Sequence, residues 1–459
     1  MLNVFTPIDN SFYLSREYAT PELIEKAIAK SKNSSNIWKN ISLKNRKIIL
    51  NKFVDIFLSN KEEIKEELSR QMGRPISQCS GEMNGFEERA RFMIEKSDEA
   101  LSNIISKKNN EFDNFIVKDP LGIIFIIAPW NYPYNTSVNS IVPSLLSGNS
   151  VILKHSSQTP LCAEQIYKAS IESGLPEGVF QFLHLDHQST AKIVNDSRVD
   201  HILFTGSVSG GRQIKKAIGE RFINVGLELG GKDPAYVRKD CNLQYAIENL
   251  SDGSFYNSGQ SCCGIERIYV DSDIYNKFVD GMKHYTENYI LDDPLKVETN
   301  LGPVAKLSSA EVIRSQIDAA IFNGAKNIVT KGKFKIDQKD NCYVSPSILI
   351  DVDHSMKFMM SETFGPTVGI MKVKNEEEAI HLMNDSAYGL TASVWTSDEE
   401  FAKTLGPKIK TGTFFMNRCD YLDPGLAWTG VKDTGMGVTL SVLGFDHVTR
   451  AKSYHYRKI

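Results

Sequence analysis

Gly122-Ile-Ile-Phe-Ile-Ile-Ala128 is the stretch whose reading decides the fold. It is short, apolar without interruption, and stops at Pro129. A run of that length with no polar face reads as a strand buried on both sides rather than as an amphipathic helix. Similar short runs follow at Val151 to Leu153, Val179 to Leu183, His201 to Phe204 and Phe222 to Leu229. Between them, Pro160 to Ser173 and Ser209 to Ile218 carry helical spacing. Buried strands alternating with helices make a parallel α/β sheet. The second half repeats the style at Ile265 to Val270, Tyr343 to Leu349, Pro366 to Val373, Ala392 to Thr396 and Thr413 to Asn417. A second α/β layer is therefore expected, with its boundary near Glu228 to Asp233.

Upstream, the first hundred residues read as helices. Thr20 with Glu22 and Ile24 opens one, and Leu43 to Leu58 places Ile48, Phe53, Ile56 and Phe57 at helical intervals. A charged stretch, Lys61 to Gln71, breaks at Gly73 and Pro75, and Glu82 to Leu101 resumes the period. Downstream, His447 to Ile459 alternates around Tyr454, His455 and Tyr456, as a terminal strand does; exposed strand edges often serve oligomers.

Composition narrows the functional classes. The chain has 459 residues, 41% apolar and 24% charged, with 53 Lys plus Arg against 56 Asp plus Glu. Such balance excludes disordered and disulfide-scaffold proteins and provides no field for nucleic acid or acidic membrane. The longest uncharged apolar stretch, Leu121 to Trp130, is about half a membrane span. The N-terminus shows no secretion signal, and the seven scattered cysteines include no Cys-x-x-Cys. A cytoplasmic protein with reduced thiols is expected.

Four segments could carry chemistry. In Asn257-Ser-Gly-Gln-Ser-Cys-Cys263, adjacent cysteines suit neither a mutual disulfide nor a metal cage, whereas a thiol on a Gly-containing bend suits a nucleophile. Taken alone, a free cysteine is more often a small buried hydrophobe. Glu228 ends an apolar run before Gly230-Gly231, where partial desolvation makes a carboxylate a better base; a surface carboxylate or helix cap is the bland reading. Asn131 follows the Ile123 to Ile127 strand, where α/β sheets bind ligands, and its amide could donate to an oxyanion or merely make a turn. Phe204-Thr-Gly-Ser-Val-Ser-Gly-Gly211 offers a Gly-rich turn and a helix N-terminus to phosphate, a weak signal by itself.

In joint order these segments resemble the aldehyde dehydrogenase superfamily, along essentially the whole chain. The family's Pro-Trp-Asn-Phe/Tyr-Pro stands at Pro129 to Pro133, its Phe-Thr-Gly-Ser-x-x-x-Gly at Phe204 to Gly211, and Glu-Leu-Gly-Gly at Glu228 to Gly231. Gly-Gln-x-Cys stands at Gly259 to Cys262, Glu-x-Phe-Gly-Pro at Glu362 to Pro366, and Asn-x-x-x-Tyr/Phe-Gly-Leu at Asn384 to Leu390.

The resemblance implies oxidation of an aldehyde to its acid with NAD or NADP. Cys262 would attack the carbonyl, with Asn131 and the Cys262 backbone N–H holding the oxyanion. Hydride would leave for the nicotinamide, and Glu228 would activate the water that hydrolyses the thioester. Coenzyme contacts are implied for Trp130, Lys154, Ser157, Gly206, Ser207, Gly211, Leu229, Glu362 and Phe364. Tyr132, Tyr256, Arg418 and Trp428 are the candidate substrate residues, and no metal is expected. Arg418 could take a substrate carboxylate or simply be a surface arginine.

Two departures from the family pattern matter. Ser157 stands where many NAD-specific members carry glutamate, which removes repulsion of a 2′-phosphate, and His155 could add positive charge. Near the C-terminus, Ala427-Trp-Thr-Gly-Val-Lys-Asp-Thr-Gly435 puts Trp428 at an aromatic tunnel position. Compact bacterial succinate-semialdehyde dehydrogenases look similar, so a semialdehyde is the expected substrate. The fold expected is α/β: a Rossmann-like coenzyme domain (residues 1–110 and 118–228), a catalytic α/β domain (229–420) and a return segment (421–446). A small β oligomerisation element (111–117 with 447–459) would make a homodimer or homotetramer. Two rivals are a non-catalytic binding protein on the same fold and an acylating enzyme that passes the thioester to coenzyme A.

Overall fold

Ile123–Ile127 lies near the middle of a six-stranded sheet in the computed structural model, which describes residues 1–459. The sheet runs Gly435–Met436, Val225–Glu228, His201–Thr205, Ile123–Ile127, Ser150–Lys154, Phe180–Phe182, parallel except at its first strand. All five residues of Ile123–Ile127 are buried because they feed two cores alternately. Ile124 and Ile126 join the largest cluster, while Ile123, Phe125 and Ile127 join another. The period of two explains why the run has no polar face.

The second sheet has seven strands: Lys326–Asn327, Ser347–Ile350, Thr367–Val373, Ile265–Asp271, Asp233–Val237, Thr391–Trp395 and Thr413–Met416. Only Lys326–Asn327 runs antiparallel. The chain passes from one sheet to the other over Leu229 to Lys232. The helical first segment packs Leu43–Ser59 and Ile76–Ala100 against Pro133–Leu146, with Lys61–Met72 on Ile76–Ala100. Thr20 caps the helix Pro21–Trp38 by accepting the Leu23 N–H at 3.3 Å.

Three elements differ from the sequence reading. Leu2–Phe5 and Phe12–Arg16 form an antiparallel ribbon where helices were expected. Only Leu2 and Val4 alternate inward there, too few residues to establish a period. Ile104–Lys108, grouped by sequence with the helical segment, is the third strand of a small sheet. Every residue in it is exposed, so no apolar pattern marks it. The run Tyr343 to Leu349 contributes only Ser347–Ile350, since Pro346 has no N–H to give a ladder before it.

In that small sheet the tail Thr449–Arg457 pairs antiparallel with Phe112–Pro120. Tyr454 stands opposite Phe115 with their rings stacked at 5.0 Å. The strand order leaves Thr449–Arg457 and Ile104–Lys108 as the two edges. No helix is long and apolar enough to cross a membrane.

Candidate active site

Cys262 follows a strained loop. Asn257, Ser258 and Gly259 all have left-handed backbones (φ 52°, 57° and 68°), which non-glycine residues adopt only when held there. The holders are specific. Arg74 Nε donates to Asn257 Oδ1 at 3.1 Å, the Asn257 N–H donates to Gln78 Oε1 at 3.1 Å, and Ser258 Oγ donates to the Gly302 carbonyl at 2.8 Å. Gln260 Oε1 accepts the Ala305 N–H at 2.8 Å, and its carbonyl accepts Asn131 Nδ2 at 3.2 Å. The amide of Asn131 is thus tied to the chain just before Cys262.

Arg74 and Glu82, which the sequence reading missed, anchor this arrangement. Both side chains are fully buried and pair at 2.5 Å. Glu82 Oε1 also accepts the N–H groups of Tyr134 and Asn135 at 2.9 Å each, satisfying the start of the helix Pro133–Leu146. Arg74 further donates to the Asn131 carbonyl and lies 4.5 Å from the Tyr132 ring centre. In sequence they are two of many charges on helical segments; only their shared burial singles them out.

Glu228 ends the strand Val225–Glu228 with its carboxylate held by two hydroxyls. Thr439 Oγ1 donates to Oε1 at 2.5 Å and Thr205 Oγ1 to Oε2 at 3.4 Å. Burial pushes its pKa above the ordinary carboxylate value, and those hydrogen bonds with the Arg89 charge oppose the rise. The following glycines are demanded by close approach. A Cβ on Gly230 would sit 2.4 Å from the Glu362 carboxylate, and one on Gly231 would sit 2.2 Å from the Cys262 carbonyl oxygen. Glu362 in turn accepts the Gly231 N–H at 3.0 Å, and burial raises its pKa to about 8.

Two cavities meet at Cys262. One, of about 260 Å³, is lined by Trp130, Asn131, Gly206, Ser207, Leu229, Gly230, Glu362 and Phe364, with Thr136 and Cys262. It opens on the N-terminus of the helix Val208–Ile218, capped by Ser207. The other, of about 320 Å³, also touches Thr136 and Cys262 and is lined by Glu228, Tyr132, Tyr256, Trp428 and Asp420 among others. Within it Asp420, absent from the sequence reading, accepts Ser261 Oγ at 2.7 Å and Cys263 Sγ at 3.0 Å. Burial pushes Asp420 to about 6, and Cys263 is raised by its contact with Cys262 and by burial.

Several expected positions lie elsewhere. Lys154 ends the strand Ser150–Lys154, Ser157 follows it, and both lie outside both cavity walls. Lys154 is pushed down to about 8 by burial, with Lys306 adding to it, and neither lysine has an ion-pair partner. Gly211 packs under Leu229, where a Cβ would meet its side chain at 2.6 Å. His155 brings no positive charge, contrary to expectation. It is buried, its Nδ1 accepts the Ser156 N–H at 2.9 Å, and burial holds its pKa at about 3. Arg418 is not in the wall of the larger cavity either: it is exposed and lies over the Tyr421 ring at 3.5 Å.

A mononucleotide-type α/β sheet beside a second α/β layer, with a thiol between two cavities, defines a nucleotide-dependent dehydrogenase architecture. The sequence matches the aldehyde dehydrogenase family over residues 1–454, and the chain belongs to that family. The 3-sulfolactaldehyde dehydrogenase of Priestia megaterium is 34% identical over 91% of this chain and 87% of that protein. Succinate semialdehyde dehydrogenase (NAD(P)+) of Escherichia coli is 29% identical over 93% of this chain and 92% of that protein. A crystal structure of succinic semialdehyde dehydrogenase from Streptococcus pyogenes in complex with NADP+ superposes with a TM-score of 0.95. It is 26% identical and covers 100% of both chains.

Proposed function

We propose that this aldehyde dehydrogenase oxidises its substrate through a thioester on Cys262, hydrolysed by water that Glu228 activates. The observation that carries the reading is the position of Cys262 on the boundary of both cavities, with Glu228 in the wall of one and Glu362 in the wall of the other. Addition of the thiolate to the carbonyl forms a C–S bond and an oxyanion. The second N–H of the Asn131 amide and the Cys262 backbone N–H are the donors that fit it. Glu228, kept by burial above the ordinary carboxylate range, takes a proton from the water that attacks the thioester, releasing the acid and the thiol.

The 260 Å³ cavity fits NAD(P)+ by its donor set: a capped helix N-terminus for phosphate and a half-buried carboxylate, Glu362, for ribose hydroxyls. NAD(P)+ supplies the hydride acceptor. Lys154 and Lys306, both lacking a carboxylate partner, with Ser157 between the strand and the next helix, favour a 2′-phosphate and hence NADP. Arg89, Asn135 and Asn139 in the larger cavity give its wall a polar character that suits a semialdehyde such as succinate semialdehyde. Retention of Glu228 and its Thr439 clamp disfavours transfer to coenzyme A, which needs no such base. A cytoplasmic homodimer or homotetramer completes the reading.

The test is an absorbance assay for reduced nicotinamide with a panel of aldehydes, run in parallel with NAD and NADP. Turnover of aldehydes without coenzyme A is expected. No turnover with any aldehyde would leave the non-catalytic rival standing, and turnover only with coenzyme A would establish the acylating one.

A further inference from the structure

One face of the helix Pro133–Leu146, continued from its cap Tyr132, carries Asn135, Thr136 and Asn139 into the larger cavity at helical intervals of three and four. Its other residues are mostly apolar and buried, so a polar stripe here serves the cavity rather than the core. Asn139 is only 2% exposed, and neither its Nδ2 nor its Oδ1 has a partner. Leaving both atoms of a buried amide unpaired is costly, and such an amide calls for a ligand.

Arg89 reaches the same cavity from the helix Ile76–Ala100. It is 8% exposed, donates Nη1 to the Asn135 carbonyl at 2.9 Å, and leaves Nε without a partner. Arg89 makes no ion pair, in contrast to Arg74, matched by Glu82 at 2.5 Å. A buried guanidinium without a counter-ion is expensive unless something else brings the anion. The carboxylates around it do not fill that role. Glu82 is committed to Arg74, Asp420 accepts Ser261 and Cys263, and Glu88 and Asp252 are exposed. Glu228, in the same wall, feels the Arg89 charge but makes no ion pair with it and is held by the Thr439 and Thr205 hydroxyls.

We infer that Arg89 and Asn139 form the clamp for an anionic tail, carboxylate or sulfonate, on the aldehyde substrate. The inference rests on the thioester reading above and assigns to Arg89 the role that the sequence offered to Arg418. Arg89 supplies charge and a planar donor edge, and the Asn139 amide supplies a further N–H to the same oxygens.

The experiment compares kcat/KM of the whole enzyme for butanal, succinate semialdehyde, 3-sulfopropanal and 4-(trimethylammonio)butanal. At least one anionic aldehyde is expected to exceed butanal by about tenfold or more, and which one does so identifies the tail. Arg89→Met should collapse that anionic-to-butanal ratio by about tenfold, mainly through KM, with Arg89→Lys recovering part. Arg418→Ala should leave the ratio as in the wild type. If Arg89→Met does not fold, the wild type decides: butanoate or propane-1-sulfonate should inhibit butanal oxidation far better than butan-1-ol. Preference for butanal or the trimethylammonium aldehyde, an Arg418-dependent ratio, or equal inhibition by the three probes would overturn the clamp. Absence of turnover with all four aldehydes would instead overturn the thioester reading itself.

Discussion

The hydroxyl of Thr439 donates to the Glu228 carboxylate at 2.5 Å, and Thr439 is placed there by a two-way backbone bridge to Trp428, a wall residue of the larger cavity. Glu228 and the wall of the larger cavity are therefore joined through one short β-bridge. A hydrogen bond to the ionised form lowers a carboxylate's pKa, so its removal must raise that of Glu228. With Thr439→Val, the acid limb of the kcat profile should move to higher pH by about one unit, given about 1.5 kcal/mol for a bond to a charged group. The sign follows from the proposed role: a base that works as carboxylate loses activity as pH falls through its raised pKa. Thr205→Val, which removes a 3.4 Å contact, should shift the limb less. A profile unmoved by Thr439→Val would exclude Glu228 as the group titrating on that limb.

Breaking the Arg74–Glu82 pair should be costly in stability. Glu82→Ala leaves a fully buried guanidinium unmatched and strips two N–H groups at the start of the helix Pro133–Leu146. A loss of about 3–5 kcal/mol is expected, read as a lower midpoint in chemical denaturation. The helix also carries Asn131's neighbours, so kcat should fall even at temperatures where the variant stays folded. An unchanged midpoint would contradict the role given to this pair.

Coenzyme choice is expected to follow the two unpaired lysines and Ser157. The wild type should use NADP at least as efficiently as NAD, and Ser157→Glu should shift the kcat/KM ratio toward NAD by tenfold, about 1.4 kcal/mol. Lys306→Ala should shift it the same way, because the Lys306 charge reaches Lys154 and no carboxylate pairs with either. A wild type that strongly prefers NAD, unaffected by either substitution, would exclude these residues as the discriminating set.

The small sheet presents two edges, Thr449–Arg457 and Ile104–Lys108, and every residue of Ile104–Lys108 is exposed. Free edges of this kind pair with another copy. Deleting the residues after Arg450 should lower the mass measured by light scattering. An unchanged assembly would remove the tail from the interface.

Much of this arrangement was legible because the decisive residues are local in sequence. Ile123–Ile127, the helix-capping Thr20 and the Gly230-Gly231 pair each announce themselves through a few neighbours. Cys262 and Glu228 stood out through motif order. What the sequence hid depends on distant partners. Arg74, Glu82, Asp420 and Thr439 are ordinary polar residues until burial brings them together. His155 was misread because a histidine beside a lysine looks cationic, whereas its burial fixes it neutral. Of the two readings offered for Arg418 its exposure fits the surface arginine, since the wall of the larger cavity passes it by and takes Asp420 instead. The stripe Asn135, Thr136, Asn139 was readable in principle: polar residues at intervals of three and four in an apolar helix mark a face that is not core.

Whether the acyl group is carried by Cys262 is tested most directly by trapping it. Glu228→Gln, mixed with substrate aldehyde and NAD(P)+, quenched and digested, should show by mass spectrometry the acyl group on Cys262, with one reduced coenzyme formed per subunit before turnover stalls. Acylation of Cys263 instead, or a rapid first formation of reduced coenzyme that survives Cys262→Ala but not Cys263→Ala, would contradict it.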